Sequence, residues 1–129
     1  MHVHYSKLKI SADASSRLRA LRQRTGVTPN LLCRMALLTS LEEGPLLGTP
    51  APDETGAEFN AYTLTGEYGA LIGALTRWVE GRSSEEEARD LSNDELIDLV
   101  RSHIHRGVRT LSVRAKSPSD ILRLVPKHS

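Results

Sequence analysis

The 129-residue sequence is poor in several residue types, and each shortage excludes something. There is one cysteine, Cys33, so neither an intramolecular disulfide nor a multi-thiolate zinc site is available. A cytosolic, reducing location is the simplest expectation for such a chain. One Trp, one Phe and three Tyr give an aromatic content of 4%, so the core has to be aliphatic. No apolar run approaches the ~18–20 residues of a membrane-spanning helix. The opening MHVHYSKLKI has neither the apolar stretch nor the small-residue cleavage site of a signal peptide. Phosphate-binding glycine patterns are also missing: there is no G-x-x-x-x-G-K-[ST] loop, and Gly66, Gly69 and Gly73 do not match the dinucleotide fingerprint.

What is present is charge, unevenly placed. The formal net charge is only +1, yet residues 1–41 carry +6, residues 42–98 carry −11 and residues 99–129 carry +6. Thirteen of the seventeen cations are Arg, whose planar fork grips phosphate oxygens in pairs as Lys cannot. The ends therefore suit an anionic partner, or pairing with the acidic middle of a second copy.

The periodicities predict a mainly α fold with two or three short strands, in one domain spanning 1–129. Residues 3–10 read as a strand with Leu8 and Ile10 alternating against Lys7 and Lys9. Ser11 is placed to cap a helix whose narrow apolar face is Ala14, Leu18, Leu21 and Thr25. Arg17 and Arg24 flank that face on one side, Arg22 on the other, with Arg19 further round, and Gly26 is the stop. Thr28 caps and Pro29 opens a second helix, with Val27 placed to staple onto Leu32. Leu31, Leu32, Cys33, Met35, Ala36, Leu37, Leu38 and Leu41 cover most of its circumference. Such a helix is buried, one route being against a second copy. A Gly/Pro-rich loop follows at 44–57, then a short strand over 58–64. Thr65 is read as the cap of a third helix with Tyr68, Leu71, Ile72, Leu75 and Val79 on one face and Gly69 and Gly73 as a packing groove. Residues 81–92 are polar and acidic. The capping box Ser92–Glu95, with Leu91 as staple to Leu96, opens a helix that buries Leu96, Ile97, Val100 and Ile104 and is expected to stop at Gly107. Val108–Ala115 alternates and reads as strand or extended loop, and Ser117–Asp120 starts a last helix with Ile121, Leu122 and Val125.

The residues offer no catalytic constellation. Cys33 lies in a buried helix and reads as a core residue. His103 and His105, two apart on a helix, point to nearly opposite faces. His2 and His4 would share a strand face near a terminus, and the run Glu85–Glu87 reads as a solvated helix start. No metal and no cofactor are expected, and no Ser, His and Asp spacing selects a triad.

The surface cations remain. The order strand–helix–turn–helix over 3–43, with a basic strand and an Arg-rich helix, resembles the ribbon-helix-helix plan, in which two chains pair strands in a DNA groove. The expected DNA contacts are Lys7, Lys9, Arg17, Arg19, Arg22, Arg24, Arg109, Arg114 and Lys116. Arg101, Arg106 and Arg123 belong to the same basic C-terminal region, and the N–H groups at Thr28–Asn30 could hold a phosphate.

Three blocks carry a wider resemblance: RTGVTPNLLCRMALLTSLEEG (24–44), EFNAYTLTGEYGAL (58–71) and GVRTLSVRAKSPSDILRLV (107–125). Through them the chain, from about Ser6 to Val125, resembles the DndE family of DNA phosphorothioation proteins. The resemblance implies a small component of the bacterial system that replaces a non-bridging phosphate oxygen of DNA with sulfur. It implies a compact homotetramer that binds duplex DNA, favouring nicked duplex, while other proteins of the pathway supply the sulfur and ATP chemistry. It carries over no catalytic residue. A non-catalytic DNA-binding subunit is the leading expectation; a ribbon-helix-helix repressor and a nickase of the same pathway are the alternatives, and an adaptor docking a basic partner is compatible with the first.

Overall fold

In the computed structural model, which describes residues 7–60, 64–82 and 92–123, the first element is strand β1, Lys7–Lys9. Its Leu8 is buried and its lysines are exposed, as the alternation requires. Residues 3–6 of the expected strand, with His2 and His4, lie outside the described residues. Helix α1 spans Ala12–Thr25, and the Ser11 side chain accepts from the Ala14 N–H at 3.1 Å. Ala14, Leu18, Leu21 and Thr25 are all buried, and Gly26 ends the helix with a φ of 75°. Helix α2, Pro29–Glu43, begins with proline at its first turn, where no N–H is required.

Strand β2 is Glu58–Asn60, shorter than the 58–64 expected, because Leu64 and Thr65 already have helical backbone. It pairs antiparallel with β1, Leu8 opposite Phe59. A 3₁₀ turn at Gly66–Tyr68 leads into α3, Gly69–Val79. The longest helix is α4, Asn93–Arg114, opened by the expected box: the Ser92 hydroxyl accepts from the Glu95 N–H and donates to its carboxylate, both at 3.1 Å. A short α5, Pro118–Arg123, follows. The acidic stretch 83–91, with the Leu91 staple, and Val125 lie outside the described residues.

Helix α4 is the centre of the molecule. Helices α1, α2 and α3 and strand β1 pack on it, and its Leu96, Val100, Ile104, Val108 and Leu111 join Leu8, Leu21, Leu32, Leu37 and Leu64 in one aliphatic core. That position depends on Gly107. Glycine is the usual helix stop, but α4 continues through it for another seven residues, so Val108–Arg114 is helix and neither strand nor loop. The reason is steric: a β-carbon at Gly107 would lie 1.8 Å from the Ala36 carbonyl oxygen of α2. The absent side chain lets the α4 backbone rest directly on the backbone of α2. Gly56 does the same for the loop, where a β-carbon would lie 2.2 Å from the Ser11 carbonyl oxygen. Gly69, by contrast, has only the Thr65 hydroxyl at 3.5 Å, so it is no packing groove.

Other local expectations fail for identifiable reasons. Neither Thr28 nor Thr65 makes a side-chain cap; the Thr28 carbonyl accepts from the Leu32 N–H, and Thr65 is itself helical. The tighter 3₁₀ turn puts Tyr68 out of phase with α3. The buried residues there are Ile72, Gly73, Thr76 and Arg77, while Tyr68 and Leu71 are exposed and Leu75 and Val79 half-buried. Helix α2 is not enclosed within one chain, since Leu31 and Leu38, seven residues apart, are each 45% exposed. Leu122 of α5 is exposed while Ile121 reaches the core.

Replacing Gly107 with Ala removes the intrinsic helix penalty of glycine, about 1 kcal/mol. The collision with Ala36 outweighs it, and a net loss of about 1–3 kcal/mol is expected in urea unfolding. A Gly107→Ala protein as stable as the wild type would show that the two backbones are not in close approach.

Candidate nucleic-acid interface

The cations sort into two populations that charge counting cannot separate. Arg101 is 2% exposed and belongs to the fold. Its Nε donates to the Lys9 carbonyl at 2.7 Å, its Nη2 to the Pro52 and Asp53 carbonyls at 2.7 and 2.8 Å, and its Nη1 to Asp98 at 3.0 Å. Arg106 likewise donates to the carbonyls of Ser40, Gly44 and Pro45 and to the Ser40 hydroxyl. Both clamp the 44–57 strap and the helix ends around it, so neither is available to an outside anion.

The nine residues expected to touch DNA are half or fully exposed; seven fall into two groups, and Arg17 and Arg19 lie on the helix between them. Lys7 and Lys9 share the outer face of β1, with Lys7 3.7 Å from Glu58. At the opposite end of α1, Arg24 donates to the Ser112 carbonyl at 3.3 Å. That bond brings the last turn of α1, with Arg22, beside the last turn of α4, with Arg114 and then Lys116; Arg109 lies five residues before Arg114 on α4. The N-terminus of α2, three residues beyond α1, opens at this same end with no acidic residue in its first turn. Between the groups runs α1, about 21 Å long at 1.5 Å per residue. Arg17 on one flank pairs with Asp13 at 3.0 Å, while Arg19 and Arg22 on the other have no ion-pair partner among the described residues.

The ribbon-helix-helix order is present, but β1 takes its strand partner from its own chain, and Arg101 occupies the Lys9 carbonyl. A two-chain ribbon through Lys9 would have to displace that guanidinium.

A polar line through the core has no counterpart in the sequence pattern. The Arg106 Nε–H donates to the Ser40 hydroxyl (2.8 Å), which lies 2.8 Å from His103 Nδ1; His103 Nε2 lies 2.9 Å from Glu80, which also accepts the Leu46 N–H at 3.0 Å. Every donor finds an acceptor when His103 is neutral, with the Ser40 O–H donating to Nδ1 and the Nε2–H to Glu80. The order serine, histidine, carboxylate matches that of a hydrolytic triad. Ser40 and His103 are 0% exposed, however, and the serine oxygen is held by Arg106, so no substrate carbonyl can reach it. Only the fold joins these residues, which come from α2, α4 and the end of α3. His105, on the other face of α4, bonds the Ser11 cap at 2.6 Å. Burial pushes the Cys33 thiol up to about 12, which makes it the inert core residue the sequence suggested. Asp53 accepts from the Thr55 hydroxyl and the Thr55 and Ala12 N–H groups, which lower it to about 2 and clip the strap to α1. Among the described residues no cluster of three or more His, Cys, Asp or Glu could hold a metal ion, and no helix is long and apolar enough to cross a membrane.

The model of the family described as DNA sulphur modification protein DndE matches residues 7–119. The chain belongs to the DndE family. Two solved structures are similar in fold. One is DndE from Escherichia coli B7A, involved in DNA phosphorothioation modification: 20% identity, TM-score 0.68, covering 83% of this chain and 96% of that one. The other is a glycine-to-lysine mutant of DndE involved in DNA phosphorothioation: 19% identity, TM-score 0.61, covering 84% and 97%. Comparison with curated proteins finds no match. Family membership places the chain in DNA phosphorothioation, as the three sequence blocks implied.

Burial lowers the His103 pKa below the ordinary imidazole value of 6.5, against the opposing pull of Glu80. The unfolded chain then binds the extra proton more readily than the folded one, so this group's contribution is complete above pH 6.5 and is lost as pH falls below it. Urea unfolding between pH 8 and pH 5 should show stability declining in acid, and the gap between wild type and His103→Gln narrowing with it. A gap that widens in acid would mean that the buried imidazole is charged.

Proposed function

We propose that this chain is a non-catalytic DNA-binding subunit of the phosphorothioation machinery, gripping duplex DNA through its phosphates and favouring nicked duplex. The observation that carries the reading is the shared end of α1 and α4. There Arg22 stands in the last turn of α1 and Arg114, followed by Lys116, at the end of α4, with Arg24 tying the two helices together; the α2 N-terminus, whose N–H groups and dipole favour an anion, begins three residues beyond α1. Lys7 and Lys9 at the other end of α1 extend the basic track to a length that spans several phosphates of one strand. Contacts of cations to phosphate position a duplex and carry no sequence information, which is the role this reading gives them. A nick makes the duplex easier to bend, and a surface built from several subunits would exploit that. The internal pairing of β1 weighs against a repressor that reads bases with a two-chain ribbon. The enclosed Ser40–His103–Glu80 line supplies no nucleophile for a nickase. Sulfur transfer then falls to companion proteins, and the site of work is the cytoplasm, where the DNA is.

Binding to nicked and intact duplex of identical sequence, titrated with salt, tests the reading. Replacing Arg19 and Arg22 with Ala should weaken both and lower the salt slope by about 1 for each phosphate that is no longer neutralised. Extending the change to Arg17 and Arg24 should weaken binding further, on any sequence. Unchanged affinity at low salt would remove α1 from the interface. Enrichment of a single palindrome from a random duplex pool would favour the repressor, and metal-dependent cleavage of supercoiled plasmid the nickase.

Self-association, as a tetramer, completes the proposal. Leu31 and Leu38 on α2 and Leu71 and Trp78 on α3, the last 70% exposed, are the apolar surfaces a second copy would cover. Light scattering should give a mass near four protomers for the wild type and a smaller one for Leu31→Asp/Leu38→Asp. A monomeric wild type would refute the assembly.

A further inference from the structure

Helix α3 turns its buried side, Ile72, Gly73, Thr76 and Arg77, toward α4 and α2. The opposite side carries Leu71, Ala74, Leu75 and Trp78. These positions fall at i, i+3, i+4 and i+7, so they form one stripe about two turns long. Leu71 is 55% exposed and Trp78 70%; Ala74 is exposed and Leu75 half-buried. No charge interrupts the stripe. Glu67 stands in the turn before α3, and Arg82 three residues past its end. An uncharged stripe offers nothing to a phosphate backbone, and nothing to a partner held by charge.

The pattern does fit its own reverse. Two copies laid antiparallel about a two-fold axis between Ala74 and Leu75 set Leu71 of each against Trp78 of the other, and Ala74 against Leu75. The large side chains then meet at both ends, and the small Ala74 lets the backbones approach in the middle. The charges select this direction. Antiparallel pairing brings the Glu67 end of each copy to the Arg82 end of the other, and opposes the two helix dipoles favourably. Parallel pairing would set Glu67 against Glu67 and Arg82 against Arg82.

We propose that α3 pairs antiparallel with α3 of a second copy, through Leu71, Ala74, Leu75 and Trp78, and that this is one of two self-complementary interfaces in the assembly. The exposed Leu31 and Leu38 of α2 belong to the other. Two different two-fold interfaces on one chain close a tetramer of dihedral symmetry. The cations of the DNA track lie on other elements, α1, β1 and the end of α4, so the pairing consumes none of them. The inference rests on the reading of the chain as a self-associating subunit, and adds to it the surface, the direction and the symmetry.

The sequence holds a single tryptophan, so the fluorescence of Trp78 reports on this face alone. In the wild-type chain a blue-shifted emission, shielded from acrylamide, is expected. In Leu71→Asp the emission should shift to the red and become quenchable, while light scattering falls from four protomers to two and far-ultraviolet circular dichroism is unchanged. A second variant does not disturb the apolar contacts: Ala74→Cys, beside the axis, should oxidise to a covalent dimer, with the wild type and its buried Cys33 as the control that does not. A wild-type tetramer whose Trp78 is quenched as freely as that of Leu71→Asp would overturn the α3 interface and leave self-association intact. A monomeric wild type would overturn both. No covalent dimer from Ala74→Cys would overturn the antiparallel register, and the proposal with it. Shielding of Trp78 that develops only when a companion protein of the machinery is added would give the face to that companion and overturn the proposal.

Discussion

The close approach of Gly107 to the Ala36 carbonyl sets the arrangement of everything else. Two helices that touch without a side chain between them approach more closely than a β-carbon allows, and the neighbours on each helix then meet with little slack. Ser40 lies one turn along α2 from Ala36, and His103 one turn along α4 from Gly107. Their 2.8 Å bond follows from the same crossing. Arg106, adjacent to Gly107, is delivered to the C-terminal carbonyls of α2, where a helix has acceptors to spare and attracts positive charge. The crossing therefore places the aliphatic core, the buried polar line and the strap in one step.

The parts of this structure written in neighbouring residues were legible. Ser11 and Ser92 bond the backbone three residues ahead, Gly26 ends α1, and the apolar face of α1 needs only the helical period. The parts that depend on distant chain were not. Gly107 does not declare itself a packing glycine, because a helix stop and a helix crossing ask for the same missing β-carbon, and only Ala36, seventy-one residues earlier, distinguishes them. The role of His103 is equally hidden, because its partners, Ser40 and Glu80, sit on two other elements. The phase of α3 is broken at a 3₁₀ turn of three residues, too short to leave a periodic signal.

The basic track was legible as composition but not as a surface. Arg101 and Arg106 are as arginine-like in sequence as Arg19 and Arg22, yet the first two direct most of their donors to backbone carbonyls inside the fold, and the rest to Asp98 and the Ser40 hydroxyl. The guanidinium suits both tasks for one reason: a rigid fork of donors serves a cluster of carbonyls as well as it serves a phosphate. Subtracting the clamped arginines makes the remaining cations a smaller set grouped around α1, and shows that the +6 of the C-terminal segment overstates what that segment offers to an anion.

The Arg101 clamp also has a consequence for biogenesis. It gathers Lys9, Pro52, Asp53 and Asp98 around one side chain, and the bond to Lys9 spans ninety-two positions of sequence. A ribosome making this chain releases β1, α1, α2 and the strap long before the helix that holds them exists. Until α4 emerges, the apolar faces of α1 and α2 lack their main partner, and the strap, held to α1 through Asp53, lacks the Arg101 and Arg106 clamps. Folding is therefore tied to the late arrival of a single element, and the nascent intermediate exposes the surfaces that chaperones recognise.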